Sequence, residues 1–377
     1  MFPRPHPLIA LVLATTSLAA CGSPGPAEEP PLSEEALAAV TENPGAPTKA
    51  IAREVDDLFR MEGLGATRAL IVMHDGTIAA ERYGEGYDAD TRFVSWSMAK
   101  TVTALMIGQL VGDGLLRLDQ PVPVPRWQRS GDPRADITLR HLLQMRSGLE
   151  HTEAGDPPYE SSEVRMLFLD GRDDMADYAT AQPPEAEPGE KFEYSSNTTV
   201  ILADIAARVL SDAGHAEARR RAVKDYLSAR LFEPLGATSM VPEFDRAGTL
   251  IGGSLMHATA RDWAKLGELM RRKGSHRGEQ LVPRSWVAQM VQPSPGSPQY
   301  GLQTWLNRPT GDEDHPLFPD RAPHSAFSMI GHMGQYVFVS PEQGLTVVRL
   351  GHSNAEERKA MLQQLADIVE LYPAEGR

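Results

Sequence analysis

Cysteine is almost missing from this chain: Cys21 is the only one in 377 residues, so no disulfide can form within it. Lysine is also scarce, with seven in all, and the net charge is −14, which argues against nucleic acid as a partner. The eleven histidines include no His-x-His or His-Glu-x-x-His spacing, so no metal is expected. No phosphate-cradling glycine loop occurs, no cofactor is implied, and no internal repeat is found. A Gly-x-Ser-x-Gly elbow is missing too, since Gly252-Gly253-Ser254-Leu255-Met256 lacks the last glycine. Long apolar runs are absent: the stretch Leu8–Leu13 is too short to span a bilayer as a stable helix.

At 41% hydrophobic and 23% charged residues, the composition is that of a globular protein of one large or two intertwined domains. Arg4 and His6 precede the Leu8–Leu13 run, and Leu18-Ala19-Ala20-Cys21 follows it. This is a charged segment, an apolar segment and a small-residue cleavage site. Leu-Ala-Ala-Cys resembles the bacterial lipobox, which implies a signal peptide ending at Cys21 and lipid on that cysteine. The expectation is an exported, membrane-anchored lipoprotein facing the periplasm or cell exterior. Residues 22–48, rich in Pro, Ala, Glu and Gly, read as a flexible tether.

Beyond the tether, Ile51, Val55, Leu58 and Phe59 mark a helix. Ala69–Met73 and Thr77–Tyr83, separated by His74-Asp75-Gly76, predict a β-hairpin. Helical spacing follows over Ile137–Met145 with Thr138 as N-cap, over Asp174–Thr180, over Thr199–Leu210 capped by Ser195 or Ser196, and over 216–232 with a solvated arginine face. After residue 250 come a helix at Ala260–Arg272, alternating strands at 300–306, 335–339 and 345–350, and a closing helix at Ala355–Leu371. Strands at both ends and helices between them predict an α/β (α+β) architecture. An antiparallel sheet flanked by helices is built from 49–125 and 250–377, and a mostly helical domain, 126–249, is inserted.

The chemistry centres on Phe93–Leu105, a short apolar strand end that turns into an amphipathic helix. Ser97 falls at the turn and Lys100 three residues later, on the same helical face. A lysine whose surroundings lower its pKa can take the serine proton, and the helix start offers N–H groups to an oxyanion. Ser97–Lys100 is the chain's only Ser-x-x-Lys. Two further stretches accompany it: Tyr194-Ser195-Ser196-Asn197 at the mouth of a helix, and Gly331-His332-Met333-Gly334-Gln335 opening a strand.

Together these resemble the serine β-lactamase and penicillin-binding protein superfamily, with its Ser-x-x-Lys, Tyr-x-Asn and Lys-Thr-Gly motifs, over residues 50–370. Within it, Ser97-Met98-Ala99-Lys100 and the Tyr-Ser-Ser spelling look closest to the class C-like branch of family VIII carboxylesterases and 6-aminohexanoate-dimer hydrolases. The resemblance implies a β-lactamase/transpeptidase-like fold and a serine hydrolase. Ser97 would be acylated, Lys100 and Tyr194 would share its proton, and the Ser97 and Gln335 N–H groups would form the oxyanion hole. Ser196, Asn197, His332 and Gly334 would meet substrate.

Three departures qualify the match. The motif asparagine falls on Ser196, with Asn197 one position late. His332 replaces the lysine that meets a β-lactam carboxylate. Tyr159 does not align with the extra tyrosine of the dimer hydrolases. The reading is a hydrolase of small esters, amides or peptides. A D-Ala-D-Ala peptidase, a weak β-lactamase and a non-turnover penicillin sensor stay open, as do the natural substrate and the oligomeric state.

Overall fold

The computed structural model describes residues 31–310 and 316–374. The expectations for the leader, for Cys21 and for the first part of the tether lie outside the described residues. Six strands form one antiparallel sheet: β1 (Ala66–His74), β2 (Thr77–Tyr83), β3 (Trp305–Leu306), β4 (Phe327–Gly331), β5 (Gln335–Ser340) and β6 (Leu345–His352). Their order is β2-β1-β6-β5-β4-β3, so the N-terminal hairpin and the C-terminal strands join where β1 pairs with β6. The β1–β2 turn places Asp75 and Gly76 at φ 49° and 85°, the left-handed pair that a two-residue hairpin turn requires.

The helices that frame the site are α1 (Thr48–Arg60), α2 (Ala99–Gly112), α3 (Ser162–Phe168), α4 (Ser196–Leu210), α5 (Ala260–Arg271) and α6 (Ala355–Glu370). Strand alternation decides which of them covers which face. Tyr336 and Phe338 of β5 join Ile51 and Val55 of α1 and Leu365 and Ile368 of α6 in one core. Val337 and Val339, pointing the other way, join Leu266 and Leu269 of α5 in a second core that continues into the helical region.

Four expectations need correction. Helix α2 is not amphipathic: every residue from Ala99 to Leu110 is buried, because the helix lies within the second core. The tether does not extend to 48. Glu34–Ala38 is helical, the Thr41 N–H binds the Ala79 carbonyl at 2.9 Å, and the Glu81 N–H binds Ala39 at 2.8 Å, so this segment covers the free edge of β2. Of the strand expected at 300–306 only β3 forms. The Leu302 and Gln303 N–H groups bind Met290 and Leu143 carbonyls instead of a sheet neighbour. The basic helix runs over 216–232 as expected, its last turn Ser228–Phe232 in π form, but its Arg219 is not solvated and pairs with Asp204, itself 2% exposed.

Phe338 is 1% exposed, with its ring 4.8 Å from that of Phe318. Phe338→Ala is expected to cost about 3–5 kcal/mol. The lowered urea midpoint would report it.

Candidate active site

The strand Arg92–Val94 pairs with Met256–Thr259, and Ser95 extends that pairing. Its N–H binds the Met256 carbonyl at 2.8 Å, and its Oγ accepts the Met256 N–H at 3.0 Å. So anchored, the chain turns sharply. Trp96 sits at φ 45°, a left-handed conformation costly for a bulky side chain, and Trp96–Met98 forms one 3-10 turn before α2. Ser97 lies on that turn, partly exposed, while Lys100 in the first turn of α2 is 1% exposed.

Lys100 ties the site together. Its Nζ donates to Ser97 Oγ at 3.0 Å, Ser196 Oγ at 2.7 Å and the Gly253 carbonyl at 2.9 Å. Tyr194 sits over it, with Nζ 4.7 Å from the ring centroid, near enough that Lys100 and Ser97 both favour its ionised form. The Tyr194 ring is held against Tyr300 and Trp305. Ser196 is the first residue of α4, capped by Ser195, and presents its hydroxyl to two carboxylates, Glu153 at 2.7 Å and Glu163 at 2.9 Å. The Ser196 N–H binds the other Glu153 oxygen at 2.6 Å.

A cavity of about 500 Å³ opens beside Ser97. Trp96, Val164, Leu167, Phe168, Trp305 and Ile330 give it apolar walls, and Glu153, Glu163, Tyr194, His332 and Arg358 give it polar groups. Gly331 and His332 line it, but Gly334 and Gln335 do not. The third motif bridges two strands: Gly331 ends β4, residues 332–334 are the turn, with Met333 and Gly334 at φ 58° and 84°, and Gln335 opens β5. Gly334 faces Arg349 of β6 and Ser353 just after it, and the Gln335 side-chain amide bonds the His332, Met333 and Gly351 carbonyls. Neither Gly334, expected to meet substrate, nor Gln335, expected to supply an oxyanion N–H, lines the cavity, whereas Gly331 and His332 do. A Cβ on Gly331 would lie 2.2 Å from the Ser95 carbonyl, so glycine there lets β4 press against the Ser97 turn.

Asn197 is corrected too: it is fully buried, it is not among the cavity-lining residues, and its amide has no partner among the described residues. Tyr159 is 59% exposed and does not line the cavity. Glu163, Gly253 and Arg358 escaped the sequence reading, because no spacing relates them to Ser97. Glu153 was visible only as one residue of a polar loop.

The electrostatics also depart from expectation. Burial works against the Lys100 charge, but Tyr194, Glu153 and Glu163 outweigh it and hold the ammonium above its ordinary pKa. Burial pushes Tyr194 up as well, more than Lys100 can lower it, so the phenol is neutral. Burial, with Arg358 and His352 beside it, lowers His332, leaving a neutral imidazole at pH 7. Burial and the neighbouring Glu153 push Glu163 from 4.5 up to about 7, against the opposing pull of Lys100. A raised carboxyl stabilises the fold below its unfolded pKa and loses that contribution as pH rises through the folded value. Glu163→Gln should therefore raise the melting temperature relative to wild type above pH 7, with the gain fading toward pH 4.5. Thermal melts across pH 4–9 would check this.

Known proteins are similar to this chain in sequence and in fold. A 6-aminohexanoate-dimer hydrolase of Paenarthrobacter ureafaciens is 27% identical over 251 residues, 64% of this chain and 61% of that relative. This chain thus matches less than two thirds of the relative's length. A β-lactamase from Mycobacterium bovis superposes with TM-score 0.60 and 20% identity, covering 85% of this chain and 100% of the other. A hydrolase with promiscuous acyltransferase activity superposes with TM-score 0.62 and 18% identity over 85% and 99% of the two chains. The Beta-lactamase family model matches residues 60–370, a span that includes Ser97, Lys100 and Tyr194, and this chain belongs to the β-lactamase family.

Proposed function

We propose that the protein is a serine hydrolase that cleaves small esters or amides through an acyl-enzyme on Ser97. The observation that carries this reading is the convergence of Ser97 Oγ, Lys100 Nζ and the Tyr194 hydroxyl at the mouth of a partly apolar cavity. Ser97 attacks the carbonyl carbon. Its proton passes to the Lys100–Tyr194 pair, and Tyr194 returns one to the departing alkoxide or amine. The developing oxyanion sits against the Ser97 N–H, with the backbone at Gly331–His332 bordering the other side.

The apolar walls favour an uncharged acyl group. A neutral His332 in place of a lysine argues against efficient β-lactam turnover. Arg358 favours a second reading, a substrate ending in a carboxylate, since it is the permanent cation among the described residues lining the cavity. Leu18–Cys21 supports a further part of the proposal, an exported lipoprotein anchored through Cys21.

Turnover of a short-chain p-nitrophenyl ester, with little cleavage of a chromogenic cephalosporin, is the expected result. Ser97→Ala should abolish it, and Tyr194→Phe should lower kcat roughly 10²–10⁴-fold. A stable mass adduct on Ser97 without turnover would replace the hydrolase with a sensor. For the anchor, intact mass spectrometry of the cell-derived protein should find a mature chain beginning at lipid-modified Cys21. An unmodified N-terminus would refute it.

A further inference from the structure

The hydrolase reading leaves one step unexplained, and the following rests on that reading. All three Lys100 N–H bonds point at acceptors, one of them Ser97 Oγ at 3.0 Å. An ammonium donating to the nucleophile cannot accept its proton. Lys100 has to lose a proton first, and of the three groups to which it donates at 3.0 Å or less, one can carry it away. The Gly253 carbonyl has no proton to exchange, and Ser97 is the nucleophile itself. Ser196 can both accept and donate: its hydroxyl lies 2.7 Å from Lys100 Nζ, 2.7 Å from Glu153 and 2.9 Å from Glu163.

We propose that Ser196 relays a proton from Lys100 to the Glu153–Glu163 carboxylate pair and thereby arms Lys100 as the base. Ser196 gives its hydroxyl proton to a carboxylate oxygen as it takes one from the ammonium. This leaves a neutral amine beside Ser97 and one proton shared by the pair. In acylation the Ser97 Oγ–carbon bond forms, the Ser97 proton moves to the amine, and the leaving group departs with a proton delivered through Tyr194. In deacylation a water oxygen bonds to the acyl carbon, its proton goes to the amine, and Ser97 Oγ leaves carrying a proton from Lys100. The shared proton is not consumed.

The surroundings suit such a pair. Glu163 stands at the start of α3, 3.5 Å from Ser254 Oγ, and Glu153 Oε1 is 3.5 Å from Lys100 Nζ. The charged and titratable groups around them are Lys100 on α2, Tyr194 before α4, His332 in the β4–β5 turn and Arg358 on α6. Burial, and after it the Glu153 carboxylate on the same hydroxyl, oppose ionisation of Glu163, which binds a proton up to about pH 7. The pair is thus ready to accept as the solution nears neutrality.

The test is the pH profile of kcat/KM for a p-nitrophenyl ester with wild type, Glu163→Gln, Ser196→Ala and Ser196→Thr. Circular dichroism would confirm that each is folded. Wild-type activity should rise through an acid limb near the titration of the pair. Glu163→Gln, leaving one unopposed carboxylate, should move that limb down by about a pH unit or more. Ser196→Ala should lose about 10²-fold, and Ser196→Thr, which keeps the hydroxyl, should recover most of it. An unmoved limb in Glu163→Gln, or Ser196→Ala within a few-fold of wild type, overturns the relay while the Ser97 hydrolase stands.

A second measurement needs no turnover. The ¹³Cε resonance of Lys100 in the lysine-labelled wild type, assigned by its loss in Lys100→Met, should shift with the midpoint of the pair. A resonance flat across pH 5–9 overturns the relay. Wild type without turnover or adduct at any pH would instead sink the hydrolase reading.

Discussion

A buried ammonium is the constraint around which this molecule is arranged. Lys100 is 1% exposed in a helix that is itself buried all round, and burying an unpaired charge costs several kcal/mol. The fold meets that cost with oxygen atoms from three separate parts of the chain: Ser97 on the same turn, Ser196 at the start of α4 and the Gly253 carbonyl ahead of the Met256 strand. Each demands something of its own element. Ser195 rather than Ser196 caps α4, leaving the Ser196 hydroxyl free for Lys100 and the carboxylates. Ser95 locks the Met256 strand to the Trp96 turn, so Gly253 and Ser97 stay in register around one nitrogen.

The sheet contributes an edge. β4 comes so near the nucleophile turn that a methyl group on Gly331 would meet the Ser95 carbonyl. Behind that edge lies a second buried cation, Arg349, fully enclosed and lowered to about 10 by burial. It donates to the Gly334 carbonyl at 2.8 Å, Ser353 Oγ at 2.8 Å and Thr67 Oγ1 at 3.2 Å. It pins the turn that carries His332 to β6 and, through Thr67, to β1. The wall of the cavity is thereby tied to the junction where the N-terminal hairpin meets the C-terminal strands.

Much of this was legible in local pattern. A turn between two runs marked β1 and β2, and alternation marked β5 and β6, whose alternate residues lie on the two cores. Thr138 and Asp174 fell on N-caps where short polar side chains satisfy free N–H groups. Ser97 and Lys100, one helical turn apart, could be paired from spacing alone. What failed depended on partners distant in sequence. β4 has no clean alternation, because Ser328 is buried as deeply as its apolar neighbours and its Oγ bonds Val337 O at 3.0 Å. With β4 unseen, the third motif read as a strand start, not as the link between two strands.

The chain's own order of residues determined the Ser97–Lys100 pairing and the sheet built from both ends, because each rests on periodicity or on a spacing within one turn, and Tyr194 joined them through the family resemblance. Tertiary structure alone decided the protonation of the site. Glu153 and Glu163 reach Ser196 from a loop and a short helix with no spacing to announce them. A pKa is set by whichever charges are close in space, and their distance along the chain has no bearing on it. Lys100, expected as a lowered base, is therefore a held ammonium.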